Sequence, residues 1–478
     1  MNAASDFDED FTGHIPEPAP EPERDPFADG PFPCADLDLT CPPGFVGEVA
    51  EWIDRQCRYP RRRLCVAAAL VTVGNIGGLR HEDTRDGVTA NMLAFCVAAS
   101  ATGKEAVQQA MAQLHLAAGV HYALQGGIKS EQEIMRNLIE HQAAFYLVDE
   151  IGIFLTKVRN AQRRGGAAYL EGVFGAIMSA YSKANTRLLL QGDIKRELRK
   201  LYAGILAKAQ DDGNSPAAVR AERMLRMIDE GLERPFLSVV GFTTPATFDG
   251  MMDGETATQG FVGRSIIVNE KDINPPARKG FRRQDMPDYM ASRLMQIYSG
   301  GTFNQSGPVR VEWPDNREAV TTTPEADAML DDAADWLLRY ADDMGEHTGE
   351  ASVAMIRRAY EMVAKVSFVL AIPEGVRTAD HVRWAFAYVR DELDAKIKLV
   401  FANDNAKDRP DESVAARLMN YIPERGASLA VLANRTKIKP EALLKVLRKM
   451  EGAGMVRERL SDRQYRGKRG TVWVAVKS

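Results

Sequence analysis

The alternation of apolar and polar positions divides the chain into blocks of different character. Residues 1–40 carry almost no aliphatic run and are dense in proline and acid, as in IPEPAPEPERDPFADGPFP. Such a segment cannot offset its ordering entropy by burial, which predicts a disordered tail. Residues 41–83 contain two short helical patterns broken near Pro60, the second unusually apolar. The basic run Arg61 to Arg63 at that break reads as a solvated rim in preference to a functional contact. From 84 to 274, apolar runs alternate with helical stretches: Leu93 to Val97, the amphipathic IKSEQEIMRNLIEHQ, FYLV, a helix over 166–184, and then PFLSVVGFTTPATF and QGFVGRSIIV. Ser130 with Glu133 three residues on is a capping-box pattern. Strand-like runs alternating with helices predict a largely parallel sheet covered by helices.

Within that region, residues 190–235 read as an insertion, charged helical sequence on both sides of the loop signal DDGNSP. Its Lys195, Arg196, Arg199, Lys200 and Lys208 suit either a nucleic acid or a solvated helix surface. Residues 275–322 connect to a helical lid or bundle over 323–401, and 402–412 form a polar linker. The last block, 413–478, reads as three helices followed by two strands around the basic turn RQYRGKRG.

The net charge of −5 conceals a strong polarity. Eleven acids face Arg24 alone up to Thr40, whereas fifteen Lys and Arg face seven acids from Asp411 onward. One end repels polyanions and the other attracts them. The five cysteines form no Cys-x-x-Cys pair and have no histidines at zinc-ligand spacing, so neither a disulfide framework nor a metal cage is expected. No apolar run reaches membrane-spanning length and the acidic N-terminus is unlike a signal peptide, so a cytoplasmic location without membrane partners is expected.

Candidate chemistry sits in two places. The run Leu93 to Val97 breaks into Ala98, Ala99, Ser100, Ala101, Thr102 and Gly103, and Lys104 then opens a helix. This is the strand, loop and helix layout of a P-loop, in which backbone N–H groups and a lysine surround phosphate oxygens. About forty residues later FYLVDE carries Asp149 and Glu150 to the tip of a buried strand, where two carboxylates can hold Mg²⁺ through water and polarise an attacking water. Two positions depart from the pattern, Ala98 for glycine and Glu105 for the usual hydroxyl. Glu105 can bind the metal or repel the γ-phosphate, which favours nucleotide binding over fast hydrolysis.

With ASATGKE, FYLVDEIGIFL, PFLSVVGFTTP and GFVGR in place, the stretch Gly44 to Phe401 resembles the replication ATPases of phages, prophages and plasmids, a helicase-like P-loop family associated with primases. The resemblance implies an α/β P-loop NTPase core of RecA or AAA+ type with helical flanking domains, binding ATP and Mg²⁺. It implies that Lys104 contacts the β- and γ-phosphates, that Asp149 organises Mg²⁺ and that Glu150 is the catalytic base. Thr243 or Thr244 would sense the γ-phosphate and Arg264 would be an arginine finger. A salt bridge to a core carboxylate explains Arg264 nearly as well, and Arg357 or Arg358 is a further candidate for a lid arginine. A homo-oligomeric ring such as a hexamer, single-stranded or forked DNA, and a primase or initiator partner also follow from the resemblance. The last block resembles a winged helix, with Lys437, Lys439, Lys445, Arg448 and Lys449 on its third helix and Arg463, Arg466, Lys468 and Arg469 in its wing; a protein-contact role is the alternative. The expected function is an ATP-dependent DNA helicase or translocase. The alternatives are a slow ATP-dependent loader or initiator and a DNA-binding regulator with a degenerate P-loop.

Overall fold

The computed structural model describes residues 30–100, 102–156, 168–248, 260–270, 275–299, 317–347, 350–404, 414–415, 418–419, 421–452, 454–465 and 468–476. Ala101, Arg466 and the acidic stretch 1–29 lie outside the described residues.

Helices α1 (Gly44–Arg55) and α2 (Arg62–Gly77) lead into the three-residue strand β1 (His81–Asp83). Strand β2 (Leu93–Val97) is buried along its whole length and is followed by α3 (Lys104–Ala118), the short β3 (Leu124–Gln125), α4 (Glu131–His141) and β4 (Ala143–Val148). Next come α5 (Ala168–Ser182), β5 (Arg187–Leu188), the pair α6 (Gly192–Asp211) and α7 (Ser215–Glu230), and β6 (Leu232–Glu233). Strands β7 (Phe236–Thr243) and β8 (Ser265–Asn269) complete the main sheet. Helix α8 (Asp288–Ser299) and β9 (Glu318–Thr322) precede α9 (Pro324–His347), α10 (Glu350–Ala371), β10 (Val376–Arg377) and α11 (Ala379–Asp404).

The fold is mixed α/β around a five-stranded parallel sheet in the order β3-β4-β7-β2-β8. Val97 pairs with Thr243 on one side and Asn269 on the other, and Val148 pairs with Gly241, so β2, β7 and β8 end level and β4 ends two residues short of them at the same edge. Strands buried on both faces read as continuous apolar runs, which is why LAFCV and FLSVVGFT show no alternation. Helix α2 explains its own sequence in the same way: every residue from Leu64 to Gly77 is buried, because it touches α1, α3, α8 and α10 as well as β2, β7 and β8. The segments expected as an N-terminal helical piece, a sheet core and a helical bundle therefore share one continuous apolar core.

Ser130 caps α4 as expected, its Oγ accepting the Glu133 N–H at 3.1 Å, while the Glu133 carboxylate reaches back to the N–H of Lys129 at 3.0 Å. A second parallel sheet, β1-β9-β10, has no counterpart in the sequence reading, where residues 275–322 were a connection only. Strands of two to five residues carry too few positions to show a period.

The C-terminal block has its own apolar core around Leu432, Leu443, Leu447 and Trp473. Helices α12 (Leu429–Thr436) and α13 (Pro440–Gly452) are followed by the antiparallel pair β11 (Val456–Tyr465) and β12 (Lys468–Ala475).

Candidate functional site

Because β2, β4 and β7 run parallel and end within two residues of one another, their C-terminal tips face one cleft, the usual location of ligands in open parallel sheets. A cavity of about 490 Å³ opens there, within the size range of small-molecule sites. One wall comes from the loop and helix after β2, one from the turn after β4, and one from the end of α1.

Gly103 sits at the N-cap of α3 with φ +90°, a left-handed conformation that a side chain would strain. That turn aims the start of α3 at the cavity, and Ser100, Thr102, Gly103, Lys104, Glu105 and Ala106 line it. Helix N–H groups without intrahelical partners and the positive end of the helix dipole make this an anion-favouring wall. Lys104 is 9% exposed, and its Nζ donates to the carbonyl of Thr243 at 3.1 Å. Burial pulls its pKa down, and Glu150 and Asp149 oppose that shift. The ammonium thus retains one protein hydrogen bond and has two donors left for an anion.

Asp149 and Glu150 are exposed and line the same cavity. Glu150 has φ +51° and donates its N–H to Asp149 Oδ1 at 3.0 Å. A left-handed glutamate costs about 1–3 kcal/mol and persists only where the surroundings impose it. Here the imposing contact is the helical stretch that follows, where a Cβ on Gly152 would lie 2.3 Å from Thr243 Oγ1. The chain must turn sharply at Glu150 to lay Gly152 on the end of β7.

Several expected site residues take other roles. The Ala98 N–H is used within the sheet, donating to the Thr243 carbonyl at 3.1 Å, and neither Ala98 nor Ala99 lines the cavity. Ala99 accepts from Thr102 Oγ1 at 2.6 Å instead. Thr243 is fully buried, with its hydroxyl 2.8 Å from that of Thr247, and the Thr244 hydroxyl is 2.9 Å from the same group. Neither threonine is among the lining residues, so Thr243 contributes its carbonyl where a sensing hydroxyl was expected. Arg264 precedes β8 at the opposite edge of the sheet, since Ser265 pairs with Leu93. Four strand residues separate that level from Val97, about 13 Å at 3.3 Å per residue. Arg264 lies beside Arg358, whose pKa is lowered by burial and by this neighbour. Arg357 is exposed, 3.5 Å from Asp342.

The basic run at the start of α2 is also corrected. Arg61 is 1% exposed, its backbone N–H donating to Asp54 Oδ1 at 3.0 Å and its Nε to the Thr102 carbonyl at 2.7 Å. It is a buried brace for the loop, whereas Arg62 and Arg63 are exposed. Gln56, Cys57, Arg58, Tyr59, Phe281 and Arg283 complete the cavity wall and carried no local sequence signal.

Among the described residues no group of three or more His, Cys, Asp or Glu could hold a metal ion by itself. The donor set nevertheless suits Mg²⁺ brought in with a nucleotide, because that ion keeps several waters and takes one or two carboxylates plus phosphate oxygens. Asp149 and Glu105, both lining the cavity, would hold it, and it would neutralise phosphate charge.

In the C-terminal block Lys445, Arg448 and Lys449 are exposed on α13. Arg448 is engaged, bonding Glu451 at 2.6 Å and Glu458 at 2.7 Å with its guanidinium 5.0 Å from the Trp473 ring centre. Arg463 lies on β11, and Lys468 and Arg469 pair with Tyr465 and Gln464 across the hairpin. All five cysteines are free. No helix among the described residues is long and apolar enough to cross a membrane. Compared with known proteins, the chain matches no family and no curated sequence.

Proposed function

We propose that the cavity binds ATP and that the protein is an ATP-dependent DNA helicase or translocase of a phage or mobile-element replication system. The observation that carries this reading is Lys104, nearly buried at the head of α3, facing Asp149 and Glu150 across one cleft at the ends of parallel strands. The α3 N-terminus and Lys104 neutralise the triphosphate and hold its terminal phosphoryl group in place. Glu150 takes the proton from an attacking water, its backbone turn holding the carboxylate outward from the strand tip. Asp149 and Glu105 would hold Mg²⁺, which would supply neutralisation of the phosphate charge.

Arg264 stands too far from Lys104 to serve its own subunit's site. A ring of identical subunits, such as a hexamer, would bring that edge to a neighbour's phosphate, where a fixed cation stabilises the charge of phosphoryl transfer. The C-terminal block, with its separate core, fits a winged-helix DNA-binding unit, and a primase or initiator is a fitting partner.

Glu105 favours a second reading, a loader or initiator with slow hydrolysis, because a carboxylate stands where a metal-ligating hydroxyl is normal. Strand displacement on a forked substrate separates the two. Lys104→Ala should abolish ATP binding, while Glu150→Gln should keep binding and lose turnover. Equal nucleotide affinity in the wild type and Lys104→Ala would leave only a DNA-binding regulator with a degenerate loop.

A further inference from the structure

Near the cavity, Arg55 is paired with Glu51, Arg63 with Asp391 and Arg278 with Asp54. Four neighbouring cations are not neutralised in this way. Arg58, Lys279, Arg282 and Arg283 are exposed, and none of them forms an ion pair among the described residues. Specific bonds hold the two segments that carry them in one patch. The Arg278 N–H donates to the Arg58 carbonyl at 3.0 Å, its Nη1 to the Cys57 carbonyl at 2.6 Å, and the Gln284 N–H to Gln56 Oε1 at 3.2 Å. The patch rims the cavity, because Arg58 and Arg283 also line it beside Tyr59 and Phe281. Tyr59 is 37% exposed, with the Arg58 guanidinium 6.0 Å from its ring centre, and Phe281 is half-buried. Like charges fixed side by side repel one another, so this surface is stabilised by a polyanion.

The chain itself supplies a polyanion. Residues 1–29 carry nine acids against Arg24 alone, and residues 16–23 read PEPAPEPE, with Glu17, Glu21 and Glu23 set among four prolines. Proline-rich segments dock on aromatic faces at low ordering cost, and carboxylates form charge-assisted bonds to guanidinium groups. An acidic proline-rich stretch therefore matches a patch of cations around Tyr59 and Phe281. Its point of departure is close by. Gly30, the first described residue, lies on α11, where a Cβ would stand 2.9 Å from the Phe386 ring and 3.2 Å from Arg390 Nη1. The next residue of that helix, Asp391, pairs with Arg63, which is four positions from Tyr59 and so at most about 14 Å from it along the chain. From Gly30 back to Glu23 the chain extends up to about 23 Å, and Pro16 lies about as far again, which spans the patch.

We propose that residues 16–23 dock on the basic patch of their own chain and hold other polyanions off the cavity mouth. The docking stands on charge, aromatic surface and reach, whereas its effect on a ligand rests on the triphosphate reading of the cavity. Glutamates of the segment occupy Arg58, Arg283 and their neighbours, so a triphosphate binds with full affinity only to the fraction of molecules whose patch is free.

The test couples carboxylates to adjacent amines in the full-length protein with a carbodiimide and maps the products by mass spectrometry. Glu17, Glu21 or Glu23 should be joined to Lys279, and high salt should suppress the product. In a mixture with a heavy-isotope-labelled copy the crosslinks should stay within one label; crosslinks between labels overturn docking on the same chain. Replacing the three glutamates together by Gln should tighten inorganic tripolyphosphate with Mg²⁺ about threefold or more at low salt, measured by calorimetry. An unchanged affinity overturns the competition. Segment carboxylates joined instead to Lys445, Lys449 or Lys468, or to no lysine, overturn the docking and leave the phosphate reading standing. If that crosslink is missing and Lys279→Glu with Arg282→Glu weakens binding of a single-stranded oligonucleotide, the patch belongs to nucleic acid and the proposal falls. Crosslinked protein that binds no tripolyphosphate, with or without the three glutamates, overturns the phosphate reading and leaves the docking in place.

Discussion

Arg61 Nε donates to the carbonyl of Thr102 at 2.7 Å, joining the start of α2 to a loop forty-one residues further along the chain. Both groups are buried, so the bond forms out of water and removing its donor leaves a buried carbonyl unpaired. The shape of the loop before Lys104 therefore depends on a residue outside the loop.

Replacing that brace tests the dependence. Arg61→Met should destabilise the protein by about 1–3 kcal/mol and weaken triphosphate binding more than tenfold, since the loop loses its outer anchor. Denaturant midpoints and nucleotide titrations measure the two effects. Unchanged nucleotide affinity would mean that Gly103 and the Thr102 to Ala99 bond hold the loop unaided.

Glu105 stands exposed in the first turn of α3, where its charge supports the helix but opposes an incoming triphosphate. Glu105→Thr should raise Mg²⁺-dependent hydrolysis several-fold by supplying a hydroxyl ligand. A loss of steady-state turnover in that variant would show that the carboxylate has its own part in metal or substrate handling.

Buried histidines lower stability in acid, and His115 and His381 are the most strongly shifted of them. Burial pulls His115 and His381 down to about 4 from an ordinary 6.5. The His115 Nδ1–H donates to the Met111 carbonyl while Nε2 accepts from Asn75, and His381 Nδ1 accepts the Thr378 N–H, so both rings fit the neutral form. The unfolded chain takes up protons at these positions as pH drops below 6.5, and the folded chain does not until near 4. Stability is thus full above 6.5 and lost on the way down to 4, by up to about 1.4 kcal/mol per pH unit for each ring. His381→Asn, which keeps an acceptor for Thr378, should remove about half of this histidine contribution to the slope. Urea midpoints at pH 7 and 4.5 decide it.

Deleting the chain from Asp411 should weaken duplex or fork DNA binding and flatten its salt dependence while leaving basal ATPase in place. Each lost phosphate contact lowers the log-log slope by about 0.7 to 0.9. Arg448→Ala should cost less than Lys445→Ala, because Arg448 is already paired with Glu451 and Glu458. Reversing the charge at Arg466, Lys468 and Arg469 together probes the wing alone. An unchanged slope in the deletion and the wing variant would make this block a protein-contact module.

Local chemistry was legible from the sequence alone. The buried strand before Ala98, the helix opening at Lys104, the cap at Ser130 and the strand tip at Asp149 and Glu150 each depend on residues within a few positions, and so leave a pattern in the chain. What those residues meet was decided by tertiary structure. Three adjacent arginines look alike in sequence, yet the non-helical turn into α2 buries Arg61 against Thr102, and Arg62 and Arg63, in the first turn of the helix, stay in solvent. Strand register alone sends Arg264 to the far edge of the sheet and makes Thr243 offer Lys104 a carbonyl in place of a hydroxyl. Gln56 and Phe281 share a cavity only because Arg278 and Gln284 clip segments more than two hundred residues apart. Periodicity and turn chemistry act over neighbouring residues, whereas these contacts arise when already formed elements pack, and packing leaves no trace in the spacing of the residues it joins.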